Sequence, residues 1–157
     1  MTERIGPVLG IDFGLRRTGL AASDPEHILA SGLPTFVQAP GRSLRRILVA
    51  LHEQHGFSGV VLGVPRRDDG SVGGPAEEIL ALGRWIEKEM QLPVAYVDES
   101  LTTLEAGRRL ADAPKRVRRD RTKRDEMAAR ILLQEFLDGG CRFEDYPRPV
   151  PPGEPAA

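Results

Sequence analysis

The chain has 157 residues, 40% of them hydrophobic, and its 22 Lys and Arg nearly balance 23 Asp and Glu for a formal net charge of -1. That length suits a single domain with a sizeable core, and that composition excludes a disordered polyelectrolyte. No run approaches the roughly 18 apolar residues of a membrane span, Met1-Thr2-Glu3-Arg4 carries no signal-peptide core, and the lone Cys141 excludes an internal disulfide. A cytoplasmic protein is expected.

Val8-Leu9-Gly10-Ile11-Asp12 reads as a buried strand, and the Gly-punctuated turn Phe13-Gly14-Leu15-Arg16-Arg17 leads into an antiparallel strand over residues 18–23. A weaker strand is predicted over residues 33–37. Leu44, Ile47, Leu48 and Leu51 recur at helical spacing until His55-Gly56 stops the helix. Val60-Val61-Leu62-Gly63-Val64 is continuously apolar, the pattern of a central parallel strand covered on both faces. After a loop from Pro65 to Gly74, Pro75 opens a helix running to about Met90, with Ile79, Leu82, Ile86 and Met90 on one stripe. Val94-Ala95-Tyr96-Val97-Asp98 is the next strand, and Thr102-Thr103-Leu104-Glu105 has the form of a capped helix start. A basic loop leads to a last helix over about residues 123–137, closed by Gly139-Gly140. Five prolines between Pro147 and Pro155 mark a tail that builds little core. The expected organisation is therefore one domain over residues 1–141 and a Pro-rich tail over 142–157.

Strand hairpin followed by helix-strand repeats is a mixed α/β pattern in which helical crossovers keep the first strand and the two later ones parallel. Such a topology brings Asp12 and the pair Asp98-Glu99 to one edge of the sheet. Each acid has an ordinary explanation as well. Asp12 could satisfy backbone donors in its turn, Glu99 could be surface charge at a strand end, and at most one of Asp98 and Glu99 should face a given site unless the strand has already ended. Asp125 lies in Thr122-Lys123-Arg124-Asp125, which has capping-box spacing, yet it also shares a helical face with Ala128, Ala129 and Leu132. Small residues on that face would let it approach the sheet and carry the carboxylate inward.

Three carboxylates on separate elements, with no histidine beside any of them, suggest a divalent-metal site built from oxygen ligands. Two unit charges about 4 Å apart repel by roughly 4 kcal/mol at an effective dielectric of 20, so such a cluster calls for a counter-charge. Carboxylate and water ligation suits Mg2+ or Mn2+, whereas zinc would more often draw on His or Cys. From Arg108 to Arg124 there are nine Lys or Arg residues against Asp112 and Asp120. A basic strip beside an acidic metal site fits a phosphodiester substrate, with Arg16, Arg17, Arg119, Arg121 and Lys123 as candidate nucleic-acid contacts.

Four ordered stretches carry a further resemblance: Gly10-Ile11-Asp12-Phe13-Gly14-Leu15-Arg16-Arg17-Thr18-Gly19; Leu62-Gly63-Val64-Pro65 with Asp69-Gly70-Ser71; Asp98-Glu99-Ser100-Leu101-Thr102-Thr103; and Lys123-Arg124-Asp125-Glu126-Met127-Ala128-Ala129. Together they resemble the YqgF-type, Holliday-junction-resolvase-like family of pre-16S rRNA nucleases. The resemblance implies an RNase H-like fold, a five-stranded mixed sheet of order 3-2-1-4-5 with strand 2 antiparallel, flanked by helices. It implies that Asp12, Glu99 and Asp125 are catalytic and metal-binding, and that a bacterial cytoplasmic enzyme processes the 5′ end of precursor 16S rRNA. Structured precursor rRNA is then the expected partner, with branched DNA and ribosomal particles as further candidates. Two departures bear on substrate grip. Ser100 stands where the family usually has arginine, and Pro65-Arg66-Arg67-Asp68 is more charged than the usual loop.

Two other classes compete. A nucleic-acid-binding maturation factor without turnover would need only the basic strip. A phosphotransferase would explain the Asp12-to-Gly19 turn, but such enzymes close a cleft between two related domains and this chain has one such unit.

Overall fold

The computed structural model describes residues 5–67, 69, 71–99 and 120–149. Its main elements in chain order are β1 (Val8–Asp12), β2 (Arg17–Ser23), β3 (Ala30–Val37), α1 (Leu44–His55), β4 (Gly59–Val64), α2 (Ala76–Trp85), β5 (Val94–Asp98) and α3 (Arg121–Asp138). The strands form one five-stranded sheet of order β3-β2-β1-β4-β5. β2 runs antiparallel to β1 and β3, whereas β4 runs parallel to β1 and β5. A four-residue turn between β1 and β2 leaves only the hairpin geometry open. The helical connections through α1 and α2 make the later pairings parallel. The mixed sheet expected from the sequence is the sheet observed.

Alternation along the strands divides the interior into two unlike layers. On one face Leu9, Ile11, Leu20, Leu62, Val64 and Tyr96 pack with Leu48 of α1 and with Ile79 and Leu82 of α2. On the other face the strands present small residues: Gly10 pairs with Ala21, Ala21 with Gly32, and Gly19 with Asp12. α3 lies directly against this bare surface. A methyl group on Gly19 would sit 2.0 Å from the Asp125 carbonyl oxygen, and one on Gly10 would sit 2.9 Å from Leu133 Cβ. The missing side chains let α3 come close enough to bury Ala129, Leu132, Leu133 and Phe136. This close approach positions the candidate site.

Several boundaries differ from the sequence reading for identifiable reasons. β3 begins at Ala30 rather than near Leu33, because Ser31 and Gly32 pair with Ala22 and Ala21 although neither is apolar. Pro34, which cannot donate to a ladder, lies on this outer strand where the register shifts between Thr18 and Leu20. α2 ends at Trp85 and continues as one π-helical turn, Ile86–Met90, so the predicted stripe to Met90 spans two helix types. α1 keeps its expected stop, with Gly56 in the left-handed conformation at φ 68°.

The start of α3 is the more consequential difference. Asp120 is its N-cap, and its carboxylate accepts from the backbone N–H of Thr122 at 3.0 Å and of Lys123 at 3.4 Å. The Thr122-to-Asp125 capping box is therefore not the cap that forms, and Asp125 lies a full turn inside the helix. The helix start expected at Thr102 and most of the basic strip lie outside the described residues.

The segment after α3 packs onto the sheet edge. Phe143 is buried with its ring 4.9 Å from that of Phe136. The Tyr96 N–H of outer strand β5 donates to the Tyr146 carbonyl at 2.9 Å, and Arg148 pairs with Glu87. Phe143 and Tyr146 precede the prolines and supply apolar surface that composition alone averages out.

Candidate active site

Asp12 ends β1 and Glu99 follows β5, and the parallel order β1-β4-β5 places both at the C-terminal edge of the sheet. Glu99 is anchored there by its backbone N–H, which donates to the Val64 carbonyl at 3.2 Å. Its carboxylate lies over Gly63, where an added Cβ would come within 2.8 Å of Oε2. Gly63 faces Leu132 of α3, so Glu99 is on the α3 side of the sheet, the side Asp12 shares with Gly10 and Gly19. β5 ends at Asp98, so Glu99 takes this side one residue past the strand.

Asp12 and Glu99 are joined by a side-chain hydrogen bond. Burial, then the charge of Glu99, that hydrogen bond, and finally the charge of Asp125 push the Asp12 carboxyl up to about 8. Burial also raises Glu99, opposed by the hydrogen bond from Asp12 and assisted by the charge of Asp98. Without a cation the pair keeps a proton, with the Asp12 hydroxyl donating to the Glu99 carboxylate. Two carboxylates held together in this way offer oxygen donors of the kind a hard cation takes.

Asp125 reaches the same region by a different route. Gly19 and Ala129 permit the first turns of α3 to approach the β1–β2 hairpin, and Arg17 Nε donates to Asp125 Oδ2 at 2.9 Å. Their side chains are 31% and 26% exposed, so the pair is partly screened by solvent. Asp125 therefore stands close enough to Asp12 to raise its pKa while its own carboxylate is turned to Arg17. Among the described residues no three His, Cys, Asp or Glu side chains are gathered tightly enough to hold one ion. The structure brings Asp12 and Glu99 into contact and leaves Asp125 as a neighbour held by a cation of the protein itself.

A cleft of about 370 Å3 opens in front of these groups, lined by Asp12, Phe13, Arg16, Arg17, Pro75 and Asp125. The tight turn at its floor needs Gly14, because a methyl there would meet the Arg17 carbonyl oxygen at 2.3 Å. The buried Thr18 hydroxyl closes the turn by donating to the Gly14 carbonyl at 3.3 Å. Arg16 is exposed on the cleft wall. Of the other candidate nucleic-acid contacts, Arg121 and Lys123 are exposed at the start of α3, Lys123 lying 3.7 Å from Glu126. Arg119 and Ser100 lie outside the described residues. Sequence reasoning missed the Arg17–Asp125 pair, since partners 108 positions apart leave no local signal.

A Holliday junction resolvase family model, RuvX, matches residues 6–139, nearly the whole described fold. The chain belongs to the RuvX family. This RuvX-family chain is 40% identical over 134 residues to a protein of Moorella thermoacetica named "Putative pre-16S rRNA nuclease", a match covering 83% of the chain and 94% of the relative. A Koribacter versatilis protein of the same name is 36% identical over 133 residues, covering 85% and 87%. Among solved structures, Thermus thermophilus RuvC in complex with a Holliday junction substrate superposes with a TM-score of 0.52 at 15% identity, covering 86% of this chain and 96% of that one. A fowlpox virus resolvase complexed with junction DNA gives 0.52 at 10% identity, covering 85% and 97%. At those identities the likeness is one of fold, the RNase H-like fold of the resolvases.

The Arg17–Asp125 pair makes a measurable claim about this RuvX-family site. In Arg17→Gln, Asp125 loses its internal counter-cation and becomes available to an added one. Mn2+ binding followed by calorimetry should tighten several-fold, while stability without metal falls by about 1 kcal/mol. Unchanged Mn2+ affinity would show that Arg17 does not compete for Asp125.

Proposed function

We propose that this RuvX-family chain is a divalent-metal-dependent endonuclease that hydrolyses phosphodiester bonds of precursor 16S rRNA in the cytoplasm. The observation that carries the reading is the half-buried, hydrogen-bonded Asp12–Glu99 pair, whose Asp12 lines a cleft walled by Arg16 and Arg17. The family supplies nuclease chemistry and the relatives' names supply the rRNA substrate. Nucleases of this fold generally use divalent metals. The donor set of this site is all oxygen, which fits Mg2+ or Mn2+ better than a softer ion.

Asp12 and Glu99 would hold the cation, with Asp125 joining once it leaves Arg17. When bound, the cation supplies positive charge that lowers the pKa of a water and offsets charge developing at phosphorus. Arg17, once released from Asp125, and Arg16 on the cleft wall would clamp non-bridging phosphate oxygens and orient the strand. Arg121 and Lys123, at the start of α3, would steer the backbone toward the cleft, and Arg119 is assigned to the same basic strip. Structured precursor rRNA, free or within ribosomal particles, is the partner on this reading.

The test is cleavage of a precursor 16S 5′-leader RNA by the purified chain. Specific products should appear with Mg2+ or Mn2+ and disappear with a chelator. Metal-dependent cutting of a four-way DNA junction but not of the RNA would favour the resolvase activity that the family model's description names. Salt-sensitive RNA binding with no metal-dependent product would instead identify a non-catalytic maturation factor.

A further inference from the structure

The cleft at the acid pair is the first of three adjoining depressions. Phe13 lines both that cleft and a second one of about 410 Å3 on the α1–α2 side, whose walls include Gln38, Arg42 and Arg45. Arg45 lies in turn on the border between the second depression and a third, where it meets Arg46 and Trp85. The path thus runs from the acid pair over an aromatic ring and along the N-terminal half of α1.

The arginines on this path are held against aromatic rings. The Arg42 guanidinium lies 5.1 Å from the Phe36 ring centre and that of Arg45 lies 5.3 Å from the Trp85 ring centre. Neither has a carboxylate partner among the described residues, although Glu78 lies on the groove wall. Aromatic faces orient a guanidinium without neutralising it, so its donors stay available to an anion. The first turn of α1 carries no acid and ends with Arg45 and Arg46 in sequence, which keeps the local potential positive.

From this arrangement we infer that the groove from Phe13 to Arg45 is a track for single-stranded nucleic acid flanking the scissile phosphate, with Phe13 stacking a base and Arg42 and Arg45 holding successive phosphates. The inference rests on the nuclease reading of the acid site and adds a binding surface on the α1–α2 side of the sheet. One open ring beside two unneutralised guanidiniums suits a single strand, whose bases are free to stack, better than a duplex, whose bases are already paired.

The experiment compares wild type with Arg42→Ala/Arg45→Ala and with Arg84→Ala, which removes an exposed arginine outside the groove. Fluorescein-labelled 12-nucleotide and 3-nucleotide RNAs and a 12-base-pair RNA duplex are titrated in chelator across a salt series. The double variant should bind the 12-nucleotide strand about 10-fold more weakly at 100 mM salt, with a salt slope shallower by about 1.4, the loss of two single-strand phosphate contacts. Its binding of the 3-nucleotide RNA should match wild type, as should its unfolding midpoint. An equal loss in Arg84→Ala, no loss in the double variant, or an equal loss for the duplex would overturn the track. Cleavage in Mg2+ separates the two ideas. Intact cleavage and strand binding in the double variant defeats the track alone. Arginine-dependent binding with no cleavage by wild type defeats the nuclease reading and upholds the track.

Discussion

Asp12→Asn is expected to abolish cleavage and, in the same protein, to raise stability when no metal is present. The Asp12 carboxyl is raised from 3.8 to about 8 by burial and by its acidic neighbours. A carboxyl whose folded pKa is raised adds stability below the unfolded value. That contribution drains away as pH climbs toward the folded value. Wild type without metal should therefore weaken between pH 4 and pH 8, whereas the asparagine cannot ionise and can still donate its amide hydrogen to Glu99. At pH 8 the variant should exceed wild type by on the order of 3 kcal/mol, or roughly 10 °C in melting temperature, and the gap should close near pH 4. Adding Mg2+ should restore wild type and leave the variant nearly unmoved, because only the wild-type pair gains a counter-charge. Activity should fall at least 100-fold through loss of an anionic ligand. Thermal melts across pH with and without Mg2+ decide the matter. An equal gap at pH 4 and pH 8 would mean that ionisation of this buried pair is not what strains the site.

Gly19→Ala is the second large effect. Its methyl would lie 2.0 Å from the Asp125 carbonyl oxygen and 3.3 Å from Ala129 Cβ, so backbone rather than a flexible side chain blocks it. α3 would have to lift from β2, opening the layer that holds Ala129, Leu132 and Leu133 and drawing Asp125 away from Asp12. Overpacking of this kind costs about 3 kcal/mol or more. Urea unfolding should show that loss, with cleavage reduced beyond what the unfolded fraction explains. Gly73→Ala is the matched control, since its methyl would meet nothing nearer than the flexible Arg67 side chain at 3.4 Å. Similar midpoints for the two variants would show that α3 does not depend on the bare sheet surface.

These two residues also show why part of the site was legible and part was not. Asp12 and Glu99 are readable because one ends and the other directly follows a strand whose apolar pattern is local, and crossover connections oblige β1 and β5 to end on one edge. Which of Asp98 and Glu99 turns toward Asp12 is not fixed by alternation, because β5 ends at Asp98. For Asp125 the local pattern pointed two ways, to a capping box and to an inward-facing helical stripe. Asp120 resolved the ambiguity by taking the cap itself. Likewise, the glycines of β1 and β2 read as ordinary strand or turn punctuation until α3 was seen to fill the space above them.

The arrangement of strands and helices, the strand-terminal acids and the family are written in short-range periodicity and ordered motifs, which a chain carries whatever it packs against. The depth to which α3 settles, the capture of Asp125 by Arg17 and the burial that protonates Asp12 belong to the folded molecule. They arise from excluded volume and desolvation between segments far apart in the chain, such as Gly10 and Leu133, and those forces act only after the sheet and helix have met.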